Sequence, residues 1–232
     1  MRPLLKWAGG KRGIADLLVA RFPANWSHGK YFEPFIGGGA LFFELAPSDS
    51  IISDVNSRLI GFYSHVKNSC DDLVSGIKGI QKNFDTAPEA EKLSYYLALR
   101  TQFNNASPTS IESAIAFYSL NKLCFNGIYR ENAKGGFNVP FGKKKAFPAF
   151  NEQDFLSASS ILSSTTILNV DFEDAVSSAN AGDFVYFDPP YIPLPNTPSF
   201  TSYHSSGFGE SHQARLASLM SSLEKKGVYA MC

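Results

Sequence analysis

Asp188-Pro189-Pro190-Tyr191, entered from the apolar run Phe184-Val185-Tyr186-Phe187, is the stretch whose residue types can carry a reaction. An exocyclic amine conjugated to a ring is a poor nucleophile, because its lone pair is delocalised into the ring. An Asp carboxylate and the main-chain carbonyl of the next residue can each accept one amine hydrogen. The nitrogen then becomes tetrahedral and turns its lone pair toward an electrophile. The two prolines stiffen such a turn at a strand end through their fixed φ and missing N–H. Tyr191 offers a flat face for a ring drawn out of a stack. Taken alone, the tetrapeptide is equally well a Pro-rich turn that ends a buried strand.

A second block, Phe32-Glu33-Pro34-Phe35-Ile36-Gly37-Gly38-Gly39, joins a short extended run to a glycine turn and a helix-like Ala40-Leu41-Phe42-Phe43-Glu44-Leu45. Glycines at such a turn let a ligand approach the backbone, and the helix start that follows suits negative charge, such as a ligand carboxylate. Fifteen residues beyond Gly39, Ile51-Ile52-Ser53 leads into Asp54, placed as the acidic residue that grips a ribose hydroxyl pair at the end of a second strand. The two blocks together point to an adenosyl-bearing cofactor. Asp54 is also a candidate N-cap for a helix from Asn56 to Lys67, and one residue can serve both purposes.

The opening Leu4-Leu5-Lys6-Trp7-Ala8-Gly9-Gly10-Lys11 completes the set. With these three blocks in this order, the chain resembles the DNA adenine methyltransferase family in its alpha-class arrangement: cofactor motif, then target-recognition segment, then DPPY motif. The likeness extends over essentially the whole chain. Further matches are Leu120-Asn121-Lys122, Phe125-Asn126-Gly127-Ile128-Tyr129-Arg130, Gly136-Phe137-Asn138-Val139-Pro140-Phe141-Gly142 and Phe200-Thr201-Ser202-Tyr203-His204.

The resemblance implies a role for each matching residue. Asp188 and the Pro189 carbonyl hold the N6 group of a flipped adenine, and Tyr191 stacks on that base. The methyl donor is S-adenosylmethionine, and no metal is required. Trp7, Ala8, Gly9 and Lys11 line its site, with Lys11 also near the flipped base; Glu33, Pro34, Gly37, Gly39, Asp54, Asp171 and Asp188 belong to the same site. Phe35 and Phe172 are expected to sandwich the cofactor adenine, although both are apolar enough to be core. On duplex DNA, Lys6 and Arg130 are the cations for guanine acceptors, and Asn126, Ile128 and Pro140 supply other base contacts. Phe125 is the aromatic that wedges into the opened stack, where some relatives carry Tyr. Lys122 and Lys143 complete the DNA-contacting set with Tyr203, in a loop expected to close over the duplex. These residues match GATC-reading members, which makes GATC the expected target.

Composition narrows the field less sharply. The chain has 232 residues, 44% of them hydrophobic, enough for one domain with an insertion or two small ones. No run of 18 apolar residues appears and the charged start lacks a signal-peptide core, so a soluble cytoplasmic protein without a membrane partner is expected. Cys70, Cys124 and Cys232 show no CxxC pair, and the four histidines show no metal-ligand spacing, so neither disulfides nor zinc are expected. The formal net charge is zero, but it is unevenly spread. Residues 1–30 carry +5 and residues 122–145 carry +5, which leaves −10 on the remainder. If the fold joins the two basic segments, one face becomes a groove for phosphates. Lys143-Lys144-Lys145 is by itself equally a solvated charge run.

Short β-like runs end at Asp54 and Asp188, and others cover Thr166 to Val170 and Val228 to Cys232, with helical patterns between them. That alternation predicts an α/β fold: a Rossmann-like parallel sheet of the S-adenosylmethionine-dependent methyltransferase kind, with ligands at the strand carboxyl ends. Residues 57–145 show no β-period. Pro88 to Phe103 is amphipathic, and Thr109-Ser110-Ile111-Glu112 reads as a capping box opening a helix from Ala114 to Phe125. The expectation is an inserted, mostly helical target-recognition domain at 57–145 and a catalytic domain from 1–56 and 146–232. Ser157 to Thr165 reads as a helix end and loop. After Val228-Tyr229-Ala230-Met231-Cys232 the chain stops where the family usually continues through further strands, and the sequence reads as truncated, with an unpaired sheet edge. Three readings stand at this stage: an active, monomeric DNA adenine methyltransferase, a catalytically silent DNA- or cofactor-binding remnant of one, and an enzyme acting on an amine of RNA or protein.

Overall fold

The computed structural model describes residues 1–190 and 208–232, the side chain of Arg12 excepted. Short apolar runs buried along their whole length need a sheet covered on both faces, and a parallel sheet is the form that supplies it. Three such strands, β1 (Tyr31–Glu33), β2 (Ser50–Ser53) and β4 (Phe184–Tyr186), are flanked by the less buried edge strands β3 (Thr165–Leu168) and β5 (Tyr229–Met231), and all five pair in parallel in the order β3-β2-β1-β4-β5. The register places Tyr31 beside Ser50 on one side and Phe184 on the other. At the entry to β1 the backbones of Gly29 and Gly182 touch, and a Cβ on Gly29 would lie 2.4 Å from the Gly182 carbonyl oxygen. Only glycine closes the sheet there.

Alternate strand residues feed two cores, as the two-residue period of a strand requires. Tyr31, Ile52, Phe184 and Tyr186 join the larger one, while Phe32, Ile51, Val185 and Phe187 face a smaller one. The smaller core is closed by α8 (Phe172–Ala175) and α9 (Glu210–Lys225), through Phe172, Leu216 and Leu223. The larger is closed by α1 (Ala15–Val19), α2 (Ala40–Leu45) and the five helices between β2 and β3. These are α3 (Ser57–Asn68), α4 (Cys70–Thr86), α5 (Lys92–Asn105), α6 (Ile111–Leu123) and α7 (Glu152–Leu162).

Helix α6 is buried nearly all round and packs on α3, α4 and α5, which is how an apolar helix without a polar face must sit. Its N-cap is Ser110, whose hydroxyl accepts the Ser113 amide at 3.2 Å, so the cap falls one residue later than a Thr109 box would put it. Asn56 caps α3 and accepts the amides of Arg58 and Leu59. Helix α7 runs through Ser157 to Leu162, a turn follows at Ser163 and Ser164, and β3 starts at Thr165, so the Ser-rich stretch is a helix end and a short loop, as expected. Serines at its exposed or capping positions cost a helix little. Beyond α6 the chain forms an arm with isolated antiparallel bridges, Cys124 to Phe141 and Glu131 to Phe137. The buried cluster runs on without a break across residue 57, since Leu59, Phe62 and Tyr63 of α3 pack in the same core as Phe42 and Phe43 of α2.

Candidate active site

In an open parallel sheet, ligands bind beyond the strand carboxyl ends where the order reverses. Here that point lies between β1 and β4, and a cavity of about 490 Å³ opens there. Asp188, just past β4, lines it together with Pro189, and the turn is pinned by the Phe187 amide donating to the Met231 carbonyl at 2.8 Å. Lys11 reaches across from the N-terminal segment: its Nζ lies 2.5 Å from Asp188 Oδ1 and 3.1 Å from the Gly9 carbonyl. Burial raises the pKa of Asp188, and the Lys11 hydrogen bond and charge oppose that rise. Behind it, Glu33 at the end of β1 is only 3% exposed and accepts the Tyr31 hydroxyl at 2.6 Å. Desolvation pushes Glu33 up to about 8, with the Tyr31 hydrogen bond pulling it down and the Asp188 charge adding to the rise. The strand ends thus carry two acids whose proton affinities burial raises, Glu33 most, with Lys11 opposing the rise at Asp188.

The glycine loop forms the next wall. Gly37 and Gly39 have φ of 47° and 67°, a left-handed backbone that favours glycine. Trp7 lies so close over the loop that a Cβ on Gly37 or Gly38 would come within 2.8 Å of it. Asp54, just past β2, orients toward this loop by accepting the Gly37 amide at 3.2 Å on one oxygen and the Asn56 amide at 2.9 Å on the other. It serves the loop, and Asn56 takes the capping role that Asp54 was a candidate for. Tyr63 fixes the same turn through its hydroxyl, 2.9 Å from the Gly37 carbonyl.

Trp7, Ala8, Gly9, Lys11, Glu33 and Phe35 all line the cavity, as do Gly37, Gly39, Asp54, Asp171 and Phe172. Pro34 is buried outside the lining, where its carbonyl accepts the Ser53 hydroxyl at 3.2 Å. The aromatic pair differs from its expectation. Phe35 and Phe172 stack directly on each other with centroids 5.4 Å apart, whereas a third ring between them needs two stacking gaps, about 7 Å in all. Arg215 covers Phe172 at 4.9 Å and pairs with Asp171 at 2.8 Å and Glu173 at 2.7 Å, so Phe172 is clamped from both sides.

Sequence reasoning missed several neighbours of this cavity. Val55, Phe208 and His212 also line it, and the His212 ring packs on Phe208 at 5.4 Å. Tyr31 could have been found, since Tyr31 and Glu33 share a strand face at the i, i+2 spacing. The α9 residues carried no such signal.

The expected DNA-contacting residues lie on the N-terminal segment, the turn after α6 and the arm. The two basic segments do meet: the Lys6 amide donates to Asn121 Oδ1 at 2.9 Å, and Asn121 Nδ2 donates to the Lys6 carbonyl at 2.8 Å and to that of Gly127 at 2.9 Å. Phe125 is 51% exposed on a tight turn in which Asn126 has φ 55°, and its amide donates to the Pro140 carbonyl at 2.9 Å. Lys6, Asn126, Pro140 and Lys143 are exposed, while Ile128 and Arg130 are half-buried. Lys122 departs from its expectation. Its ammonium donates to the Leu4 carbonyl at 3.0 Å and sits 4.7 Å over the Tyr118 ring, with desolvation and Lys6 lowering its pKa to about 8. That amine ties the N-terminal segment to α6 and is not presented to a phosphate. Tyr191 and Tyr203 lie outside the described residues.

A doubly wound parallel sheet with a cavity at its switch point defines a ligand-binding α/β class, and here the turn after β4 sets Asp188 and Pro189 into that cavity. Residues 7–232 match the D12 class of N6 adenine-specific DNA methyltransferases. The chain is 40% identical to the type II methyltransferase M1.LlaDCHI of Lactococcus lactis subsp. cremoris, over all of this chain and 80% of that protein. It is 39% identical to the type II methyltransferase M.MjaIII of Methanocaldococcus jannaschii, over all of this chain and 83% of that protein. It is 37% identical to a DNA adenine methylase of Haemophilus influenzae, over 97% of this chain and 76% of the relative. The chain belongs to the D12 class of N6 adenine-specific DNA methyltransferases. Among the described residues, no helix is long and apolar enough to cross a membrane, and no His, Cys, Asp and Glu group is arranged to hold a metal ion.

Proposed function

We propose that this chain transfers a methyl group from S-adenosylmethionine to adenine N6 in duplex DNA, at GATC. The observation that carries the reading is that Asp188 and Pro189 line the same cavity as the glycine loop and Asp54. The cavity has a volume typical of small-ligand sites. Its donor set fits the cofactor. Asp54 is already oriented by two amides to accept ribose hydroxyls, and the glycine turn lets a ligand lie against backbone. Phe35, Val55 and Phe172 give the nucleoside end an apolar wall. When bound there, S-adenosylmethionine supplies an activated methyl group, and no metal takes part.

The protein's own part begins with the base. A flipped adenine meets Asp188 and the Pro189 carbonyl, each of which accepts one N6 hydrogen and draws the lone pair out of conjugation. Lys11 occupies Oδ1 of Asp188, which leaves the other oxygen for the amine. Burial raises the proton affinity of Asp188 while the Lys11 hydrogen bond and charge oppose that rise, so the carboxylate is a base suited to accept the proton that the methylated amine loses. Geometry and charge placement supply most of the rate. GATC rests on the match of Lys6, Phe125, Asn126, Ile128, Arg130 and Pro140 to the readers of that site, while relatives named DNA adenine methylase support the adenine target.

Tritiated methyl transfer to duplexes with and without GATC tests the reading, together with calorimetry on the cofactor. Heat on cofactor binding and label in adenine of the GATC duplex alone are expected. Label without sequence preference would overturn the target, and no heat with either the cofactor or its demethylated product would overturn the donor.

A further inference from the structure

We infer that Asn138 is a positioning residue for sequence reading, which sets the guanidinium of Arg130 so that one defined edge meets a base. The inference rests on the proposed reading of Arg130 as a guanine contact. A guanidinium is a planar fork with two usable edges, one made by Nε and Nη2 and the other by Nη1 and Nη2. Arg130 gives its first edge to Asn138, with Nε 2.8 Å from Oδ1 and Nη2 3.4 Å from the main-chain carbonyl. The second edge lies in the same plane, shares Nη2 through its other hydrogen, and matches the two acceptors, O6 and N7, that guanine shows in the major groove.

The arm that holds this pair is itself tied down. Asn138 donates its amide to the Arg130 carbonyl at 3.1 Å, next to the Glu131 to Phe137 bridge. Asn104 of α5 clasps Phe137 on both main-chain groups, at 2.9 and 3.1 Å, and the Tyr96 hydroxyl holds the Val139 carbonyl at 2.8 Å. The tip is closed by Asn132, whose Oδ1 accepts the amides of Lys134 and Gly136. At the foot, the Phe125 amide bonds to the Pro140 carbonyl, so the Arg130 side chain and the exposed Phe125 ring are fixed in one frame. Every link to Asn138 except the Oδ1 contact is made by backbone. Asn138→Ala therefore keeps the arm and leaves the guanidinium only the long 3.4 Å contact to the main-chain carbonyl, without the Nε bond that sets its edge.

The test reads site preference without assuming a target. Unmethylated genomic DNA is incubated with the full chain and the methylated adenines are mapped by sequencing, for wild type, Arg130→Ala, Asn138→Ala, Asn138→Asp and the double Ala variant. In Asn138→Ala, methylation at sites wrong at one base pair is expected to rise about tenfold relative to correct sites, at the same pair that Arg130→Ala relaxes. Asn138→Asp, which keeps the acceptor, restores the preference, and the double variant is no more relaxed than Arg130→Ala alone. If Arg130→Ala relaxes a base pair and Asn138→Ala does not, or lowers all sites equally, the positioning role is overturned and the Arg130 reading stands. If Arg130→Ala relaxes no position, the reading itself falls.

Discussion

Asp188 and Glu33 are held at the ends of two adjacent strands, where burial sets their proton affinities, whereas Phe125 and Arg130 stand on a turn and an arm kept in shape by hydrogen bonds. The first region stores its specificity in solvation. Removing water makes one acid hold its proton and leaves the other dependent on Lys11. The second roots the arm in the core through Tyr129, Phe137 and Val139, and holds its exposed part by polar links such as Asn104 to Phe137 and Arg130 to Asn138. If the proposed chemical centre and reading surface are assigned correctly, the first depends on burial and the second on hydrogen bonds at an exposed edge, and mutations in the two should fail in different ways.

The largest expected effect is at the chemical centre. Asp188→Ala keeps the proline turn but removes the acceptor that reshapes the amine, and methyl transfer should fall by at least about two orders of magnitude. Cofactor affinity by calorimetry should change little. Turnover near that of the wild type would mean that another carboxylate does this work and that the strand-end plan is misassigned.

Glu33 tests burial as the tuning agent. Its folded pKa of about 8 lies above the ordinary value of 4.5, so folding takes up a proton between those two values. The stability this group contributes is fully present below about pH 4.5, declines as pH rises, and is lost above about pH 8. Glu33→Gln is neutral throughout and keeps an acceptor for the Tyr31 hydroxyl. Denaturant unfolding should find the variant close to wild type at pH 5 and more stable at pH 9, by an amount on the order of a few kcal/mol. A difference independent of pH would show that Glu33 is not held neutral by burial.

What could be read from sequence follows the same division. Asp188, the glycine loop and Asp54 were legible because each sits in a contiguous block at a strand end, where backbone geometry dictates residue type. The parallel sheet was legible from its short apolar runs, with ends shifted by a residue or two, as in Tyr229–Met231 against the expected Val228 to Cys232. Phe208 and His212 reach the cavity, and Arg215 its wall residue Phe172, only because α9 packs back on the sheet, and no local spacing announces that. The Lys122 contact could not be read from sequence, because the direction of a lysine on α6 is decided by the Leu4 carbonyl, more than a hundred residues away. The contact between Phe35 and Phe172 was legible as a pairing of types but not as a distance.

On the reading surface, Phe125→Ala removes an exposed ring proposed to fill the opened stack. Transfer to a fully paired duplex should weaken by about 1 to 2 kcal/mol, and the loss should shrink when the target adenine faces a mismatch that has already opened it. Fluorescence of 2-aminopurine at the target position reports the opening directly. An equal loss on both duplexes would make Phe125 a general contact and not a wedge.

The smallest effect separates two kinds of lysine. Lys143 and Lys145 are exposed on the strip after the arm, while Lys122 is spent on the Leu4 carbonyl and the Tyr118 ring. A lysine that neutralises a phosphate releases counterions and so adds roughly one unit to the slope of log affinity against log salt, whatever the sequence. Changing both Lys143 and Lys145 to Gln should therefore flatten that slope by about two units and weaken cognate and mismatched duplexes alike. Lys122→Met should leave the slope unchanged and lower thermal stability, because it cuts a tie between the N-terminal segment and α6. The measurement is a salt-titrated binding series on both duplexes beside a melting curve for each variant. A flattened slope for Lys122→Met would place its ammonium on DNA in the complex, and would mean that the N-terminal segment moves when the duplex binds.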